Sequence, residues 1–437
     1  MPPRSRDRVD SMHGKQGDGR HSQGGASHRI LPEIEVLRAI AILFVLIAHH
    51  RTAMWWLPPT LESYLNFAFG VDLFFCVSGF VITRAFYRDF VLAAGKGAPA
   101  YWRVVTDFWI RRAFRIMPLA WLWLLIPIVM SLVYNRSGAY FSFFGNVGDF
   151  LAAALNVYNF HYAYCTASPN LWCGSSGVYW SLSLEEQFYL AFPLLVLLPR
   201  RAMAVVLAGI VAWMAMRERT SLTWMTRFDA ISLGVLIALF KQSAADVAFT
   251  PYFLQNRFVR WPLLVILLFA LAAVGGGPGL VTFFPVIVTL ICGALVYIAS
   301  FNGGYLLAPG LLRSILVWIG ARSFGLYLMH NPVIAFVRET WERAHPGQLP
   351  DATMKAVIVL AIVGLLALLS DLSFRYFETP LRRYGKQLVD RRNAAPASTA
   401  DDLVDPDSGA IDAASTNLAA GIHSPLRREE ALGKQGY

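Results

Sequence analysis

Ten apolar runs, most of them near the length needed to cross a bilayer, dominate this chain, at 31–50, 64–83, 116–134, 179–199, 202–216, 222–240, 261–275, 279–300, 314–336 and 354–374. About 20 apolar residues wound as a helix match the hydrocarbon thickness of a bilayer, and a helix satisfies its own backbone polar groups in lipid. The expected fold class is therefore all-α: a polytopic integral membrane protein of about ten transmembrane helices. A chain of 437 residues that is 56% hydrophobic and only 15% charged is not a soluble globular core.

The net charge of +10 is a topology signal rather than a nucleic-acid footprint. Arg84, Arg88, Lys96, Arg103, Arg111, Arg112 and Arg115 follow the second run, and Arg375, Arg382, Arg383 and Lys386 follow the last. Arg200, Arg201, Lys241, Arg257, Arg260 and Arg313 fall on the same side, whereas the opposite loops hold only scattered cations such as Arg51, Arg136, Arg217, Arg219 and Arg343. Basic loops stay cytoplasmic, so the expectation is a multi-pass protein of the cytoplasmic (inner) membrane with both termini inside, surrounded by lipid and without a nucleic-acid partner. Residues 149–163 fit either an eleventh span or a structured outer loop. Asn156, Asn159 and His161 favour the loop, and a further span would invert every later connection.

Domain boundaries follow from composition. Residues 1–28 and 387–437 are polar and small-residue-rich and read as disordered cytoplasmic tails flanking a membrane domain at 29–386. The first stretch has no cleavable apolar region, so the first span is expected to serve as the insertion signal. Cys165 and Cys173 share the long outer loop, where an oxidising compartment favours a bridge. There is no CxxC, HExxH or Cys/His cluster, and no metal is expected.

Several ionisable residues sit where an inert bundle would have none. Arg38 and His49 lie inside the first run; eleven residues make three turns plus roughly 20°, so both share one helix face about 16 Å apart. A charge in a spanning helix costs on the order of 2.5 kcal/mol or more and usually faces a cavity. Histidine there suits proton transfer near neutral pH. The scaffold alternative has Arg38 snorkelling to inner headgroups and His49 resting at the outer interface. Asp72 opens the second span and needs a partner, of which His49 is the nearest across a short loop. Ser78 and Gly79 suit either close helix packing or a pocket. Arg112 and Arg115, three apart, share a face able to grip phosphates, while Arg111 reads as a topology charge. In VYWSLSLEEQFY, adjacent residues diverge by about 100°, so only one of Glu185 and Glu186 can face the same cavity as Trp180 or Tyr189. Ser181, Glu185 and Tyr189 share a stripe that could line a polar pocket. Arg227, Asp229, His330 and Glu378 are further buried-polar candidates.

These residues fall in motifs. Arg38 followed by ten residues and His49, GVDLFFCVSGF, RRAFRIMP, WSLSLEEQFY, RFDA, and SFGLYLMHNP followed by FETP resemble, in order, the membrane-bound acyltransferase 3 family over about residues 31–385. The resemblance implies a ten-helix domain that moves an acyl group, often acetyl, from cytoplasmic acyl-CoA (acetyl-CoA) to a hydroxyl, commonly on a carbohydrate or lipid-linked glycan of the cell surface. His49 would then be catalytic, as general base or as nucleophile, with Asp72 or Glu185 fixing its tautomer. Arg112 and Arg115 would hold the nucleotide phosphates and Arg38 would line the channel, oriented by Glu35. Ser78, Trp180, Ser181, Tyr189, Arg227, Asp229, His330 and Glu378 would complete the pocket. Glu35 stands where the family usually has Asp, which lengthens its reach. Some members carry an added hydrolase-like domain after the last span; its absence from this sequence leads us to expect direct transfer. A polysaccharide exporter is the competing class, though its usual inverted repeats are not evident; a structural partner of a glycan synthase would leave Arg38 and His49 unused.

Overall fold

A computed structural model describes residues 31–50, 54, 57–168, 170–217, 220–243, 246, 249–274 and 284–394. The expected tail at 1–28, the expected tail beyond Ala394, Arg51, Arg219 and the start of the 279–300 run lie outside the described residues. The chain divides into a compact unit ending at Arg391 and a remainder, Arg392–Tyr437, of which only the first three residues are described.

All regular structure among the described residues is helical. The ten apolar runs correspond to α1 (Pro32–His49), α3 (Gly70–Ala94), α4 (Ala98–Val133), α7 (Tyr179–Val196), α8 (Arg200–Ala215), α10 (Asp229–Lys241), α11 (Arg257–Ala273), α12 (Phe284–Ser300), α13 (Leu311–Ala344) and α14 (Ala352–Ser373). Between and after them lie α2 (Pro59–Ser63), α5 (Phe143–Ala154), α6 (Tyr158–Ala167), α9 (Ser221–Met225) and α15 (Thr379–Ala394). Five stretches, Phe67–Ala94, Ala98–Val133, Ser221–Lys241, Leu311–Ala344 and Ala352–Ala394, are long and apolar enough to cross a membrane. The chain thus fits a multi-pass membrane protein.

Element lengths differ from the sequence expectation in several places. The 222–240 run is divided between α9 and α10, and α13 extends past the 314–336 run at both ends. The 36-residue α4 begins at Ala98, so most of the basic connection between the second and third runs is a helical extension carrying Arg103, Arg111, Arg112 and Arg115. Residues 149–163 are divided between α5 and α6, which break at Leu155–Val157, where Asn156 takes a φ of 57°. At 1.5 Å per residue these are about 18 and 15 Å long, too short to span. α15 runs to Ala394, past the boundary at 386.

Packing is closest where glycines meet backbone. A Cβ on Gly79 of α3 would strike the Ile231 carbonyl of α10, and one on Gly234 of α10 would strike the Cys76 carbonyl of α3. Likewise Gly320 of α13 lies against the backbone of Glu35 on α1. Small residues let helices approach to this distance without a hydrophobic drive between them. α3 is also tied by charge to the connection between α9 and α10: Arg227 donates to Asp72 at 2.7 Å, with the two side chains 2% and 1% exposed. The Arg227 guanidinium lies 4.0 Å over Trp224 and 5.7 Å over Trp180.

The α5–α6 segment is cross-linked to the chain that follows it. Asp149 accepts from His161, Gly174 and Ser176, while Asn146 accepts from Ser175 and donates to the Tyr140 carbonyl. Cys165 and Cys173 are joined by a disulfide, with Cα atoms 5.7 Å apart.

Candidate active site

A cavity of about 460 Å³ runs between α1, α3, α4, α7, α13 and α15. On α3 its lining extends from Val71 to Phe86, about 22 Å of helix at 1.5 Å per residue. One end is basic: Arg38, Arg84, Arg112, Arg115 and Arg382 converge there from α1, α3, α4 and α15. Glu35 faces Arg38 at 3.4 Å, the i,i+3 pair expected from its spacing. Arg112 lies over the rings of Tyr189, Phe86 and Phe108 at 5.3, 5.5 and 5.8 Å, which holds its guanidinium in place through ring-face attraction.

Glu378 reaches this end from a π-helical turn, Phe374–Glu378, that joins α14 to α15. Such turns insert one extra residue and redirect the following side chains. This one is clamped by Arg322, whose Nε and Nη2 both donate to Asp371, and by Arg375, which binds the other oxygen of Asp371 at 2.7 Å.

Midway along the cavity, Glu185 accepts from Ser78 at 2.6 Å and from the Tyr189 hydroxyl. The stripe of Ser181, Glu185 and Tyr189 faces the cavity together. Ser78 and Gly79 therefore divide the two readings between them: Ser78 lines the cavity and Gly79 packs on α10. Near the far end, Ser181 and Tyr327 share a hydrogen bond of 2.5 Å, and the Tyr327 ring meets Phe74 edge to face at 6.0 Å.

Beyond Tyr327 stand two histidines. The ring of His330 contacts that of Tyr327 at 5.8 Å and that of His49 at 4.9 Å. His49 is exposed at the end of α1, with Nδ1 2.9 Å from the Val45 carbonyl oxygen. A carbonyl only accepts, so this contact assigns the proton to Nδ1 and leaves the lone pair on Nε2, the atom a base or nucleophile needs.

Four sequence candidates lie elsewhere. Asp72, expected to meet His49, is held by Arg227. The reason is helical phase: Asp72, Cys76 and Gly79 are spaced i, i+4 and i+7 on the face toward α10, and Ser78 points about 120° away. Arg227 sits in that same buried pair. Trp180, one residue from Ser181, packs on Phe75 at 5.8 Å and on Arg227 rather than in the cavity. Asp229 accepts from Thr289 of α12 at 3.2 Å. Glu185 is engaged by Ser78 and Tyr189 in mid-cavity, and His49 Nδ1 meets the Val45 carbonyl. Conversely, Arg84, Arg382 and Tyr327 belong to the cavity although the first two read as topology charges. Arg382 follows Glu378 by four residues and Tyr327 precedes His330 by three, a same-face spacing that was available in the sequence. Among the described residues no group of three His, Cys, Asp or Glu is arranged to hold a metal.

The chain is similar in sequence to proteins named as O-acetyltransferases. Peptidoglycan O-acetyltransferase OatA of Listeria monocytogenes is 27% identical over 387 residues, covering 82% of this chain and 57% of the relative. O-acetyltransferase OatA of Staphylococcus aureus is 26% identical over 398 residues, covering 82% and 58%. The chain thus spans less than three fifths of the length of these relatives. No solved structure matches it. The acyltransferase 3 model, described as an acyltransferase domain, matches residues 31–372, which takes in every helix from α1 to nearly the end of α14, and the chain belongs to that family.

Proposed function

We propose that the protein is a membrane-bound O-acyltransferase that takes an acyl group, acetyl in the first instance, from cytoplasmic acyl-CoA and passes it to a hydroxyl of a cell-surface carbohydrate or lipid-linked glycan. The observation that carries this reading is one cavity with five arginines at one end and, beyond Tyr327 at the other, a histidine pair. In this reading the protein lies in the cytoplasmic membrane, crosses it about ten times, and keeps the arginine end inside.

Arg112, Arg115 and Arg38 hold the nucleotide phosphates, since paired guanidinium forks suit phosphate oxygens. Arg382 and Arg84 add to the same positive field. The extended arm of the donor occupies the cavity and carries the thioester toward Phe74 and Tyr327. His49, open to the opposite side, uses Nε2 on the acceptor hydroxyl as a base, or on the thioester as a nucleophile; in both cases an O–C bond replaces the C–S bond. The name of the Listeria relative favours cell-wall carbohydrate as the acceptor class.

Mass spectrometry of envelope glycans from a strain lacking the gene, against its parent and against a strain carrying His49→Ala, tests the reading. The expected result is loss of one acyl mass increment from a single glycan class in the deletion and in the variant alike, with the variant protein present in the membrane at normal level. Unchanged acylation in the deletion strain would overturn the function, and unchanged acylation with His49→Ala alone would overturn the role of His49.

A further inference from the structure

His330 has no use in that scheme, yet it is the most deeply buried ionisable ring near the reaction. It is 0% exposed, its Nδ1 is 2.7 Å from the Tyr327 carbonyl oxygen, and its Nε2 is buried without a hydrogen-bond partner. The carbonyl contact fixes the proton on Nδ1, as the Val45 carbonyl does in His49, so each ring presents a bare lone pair at Nε2. A buried acceptor left unpaired typically costs about 1–3 kcal/mol, and native structures rarely leave one without a reason. The two rings, one carrying this buried acceptor and the other the Nε2 of the exposed His49, have centroids 4.9 Å apart. They can share a proton as soon as one arrives, directly or through one water.

Position gives the sharing a direction. His49 is the exposed member, on the acceptor's side, whereas His330 touches Tyr327, which lines the donor cavity. We infer that His330 is a relay base: its Nε2 holds the proton removed from the acceptor hydroxyl and releases it to the thiolate that leaves on the donor side. With His49 as base, the hydroxyl proton goes to His49 Nε2, then to His330 Nε2, while the acceptor oxygen bonds the acyl carbon and the C–S bond breaks. With His49 as nucleophile, its Nε2 carries the acyl group when the acceptor attacks, and His330 Nε2 takes the hydroxyl proton. The thiolate receives the proton in both versions, so atoms and charge balance and no further reactant is needed. Both rings keep Nδ1–H on their carbonyls throughout. The inference rests on the proposed role of His49 in transfer.

The test uses the full chain in proteoliposomes, acetyl-CoA as donor and envelope glycans purified from a strain lacking the gene as acceptor. His330→Gln should lower kcat by about 10²- to 10⁴-fold, the range for a lost acid–base group, while KM for acetyl-CoA moves less than about three-fold. In His330→Ala, added imidazole should restore turnover, whereas pyrazole, the same ring shape but a far weaker base, should not. Full turnover in a folded His330→Gln protein, equal rescue by pyrazole, or no rescue of a folded His330→Ala protein each overturns the inference. If one variant fails to fold, the other decides. Loss of activity in His49→Ala together with full activity in His330→Gln would overturn the relay and leave the role of His49 standing; full activity in His49→Ala would overturn the reading on which the relay rests.

Discussion

Arg112 and Arg115 both line the basic end of the cavity, and one expectation holds for the two. Arg112 is braced by three aromatic rings, and both Arg112 and Arg115 have Arg38 and Arg382 in electrostatic reach. Truncating either to Ala removes a charge-assisted hydrogen bond to phosphate, typically about 1.5–3 kcal/mol, so apparent affinity for acyl-CoA should fall roughly 10- to 150-fold. Arg111→Ala, outside the cavity lining, should change it little. Equilibrium binding of a radiolabelled acyl-CoA to the three purified variants checks this, and an unchanged affinity in both Arg112→Ala and Arg115→Ala would remove the phosphate grip. At this scale the sequence was informative wherever one helix was enough: the Glu35–Arg38 pair and the Ser181–Glu185–Tyr189 stripe follow from spacing alone. It was silent on Asp72, because phase says that Asp72 and Ser78 diverge but not which neighbouring helix each will meet.

Between elements, the α3–α10 contact has two glycine crossings and a buried ion pair from α3 to the connection just before α10, so it has little room to adjust. Removing one member of a buried, hydrogen-bonded pair commonly costs about 3–5 kcal/mol, since the other charge stays behind unmatched. Asp72→Asn should therefore lower the thermal stability of the detergent-purified protein, whereas an Asp72→Asn, Arg227→Met double variant should recover much of the loss. Thermal unfolding of the wild-type, single and double variants reads this directly. A single variant as stable as wild type, with impaired transfer, would return Asp72 to the reaction. The same contact shows why the sequence could be misread here: a carboxylate near the end of an apolar helix announces that it needs a partner, and only the packing of α9 and α10 supplies Arg227 ahead of the nearer His49.

For the whole molecule, the all-helical class was legible from the apolar runs, five of which fall in stretches long and apolar enough to cross a membrane, and what was not legible was how far helices continue beyond the apolar window. α4 and α13 extend with polar and charged residues that composition assigns to loops, because hydrogen bonding within a helix continues regardless of which solvent surrounds it. Topology has a chemical marker in the α5–α6 region. Cys165 and Cys173 should resist alkylation until reduced, and after mild reduction of intact cells a membrane-impermeant thiol reagent should label both. Labelling only after permeabilisation would place this segment on the cytoplasmic side and reverse the orientation proposed for every helix after it. The arginine end of the cavity has a further consequence for how such a molecule would respond to its cell. On the proposed reading the five guanidinium groups grip the part of the donor farthest from its acyl group, so they hold a spent carrier as firmly as a charged one, and affinity of this uniform kind gives no preference for substrate over product. The protein would then run on the ratio of acylated to free carrier rather than on the amount of either, and modification of the cell surface would follow the metabolic state of the interior.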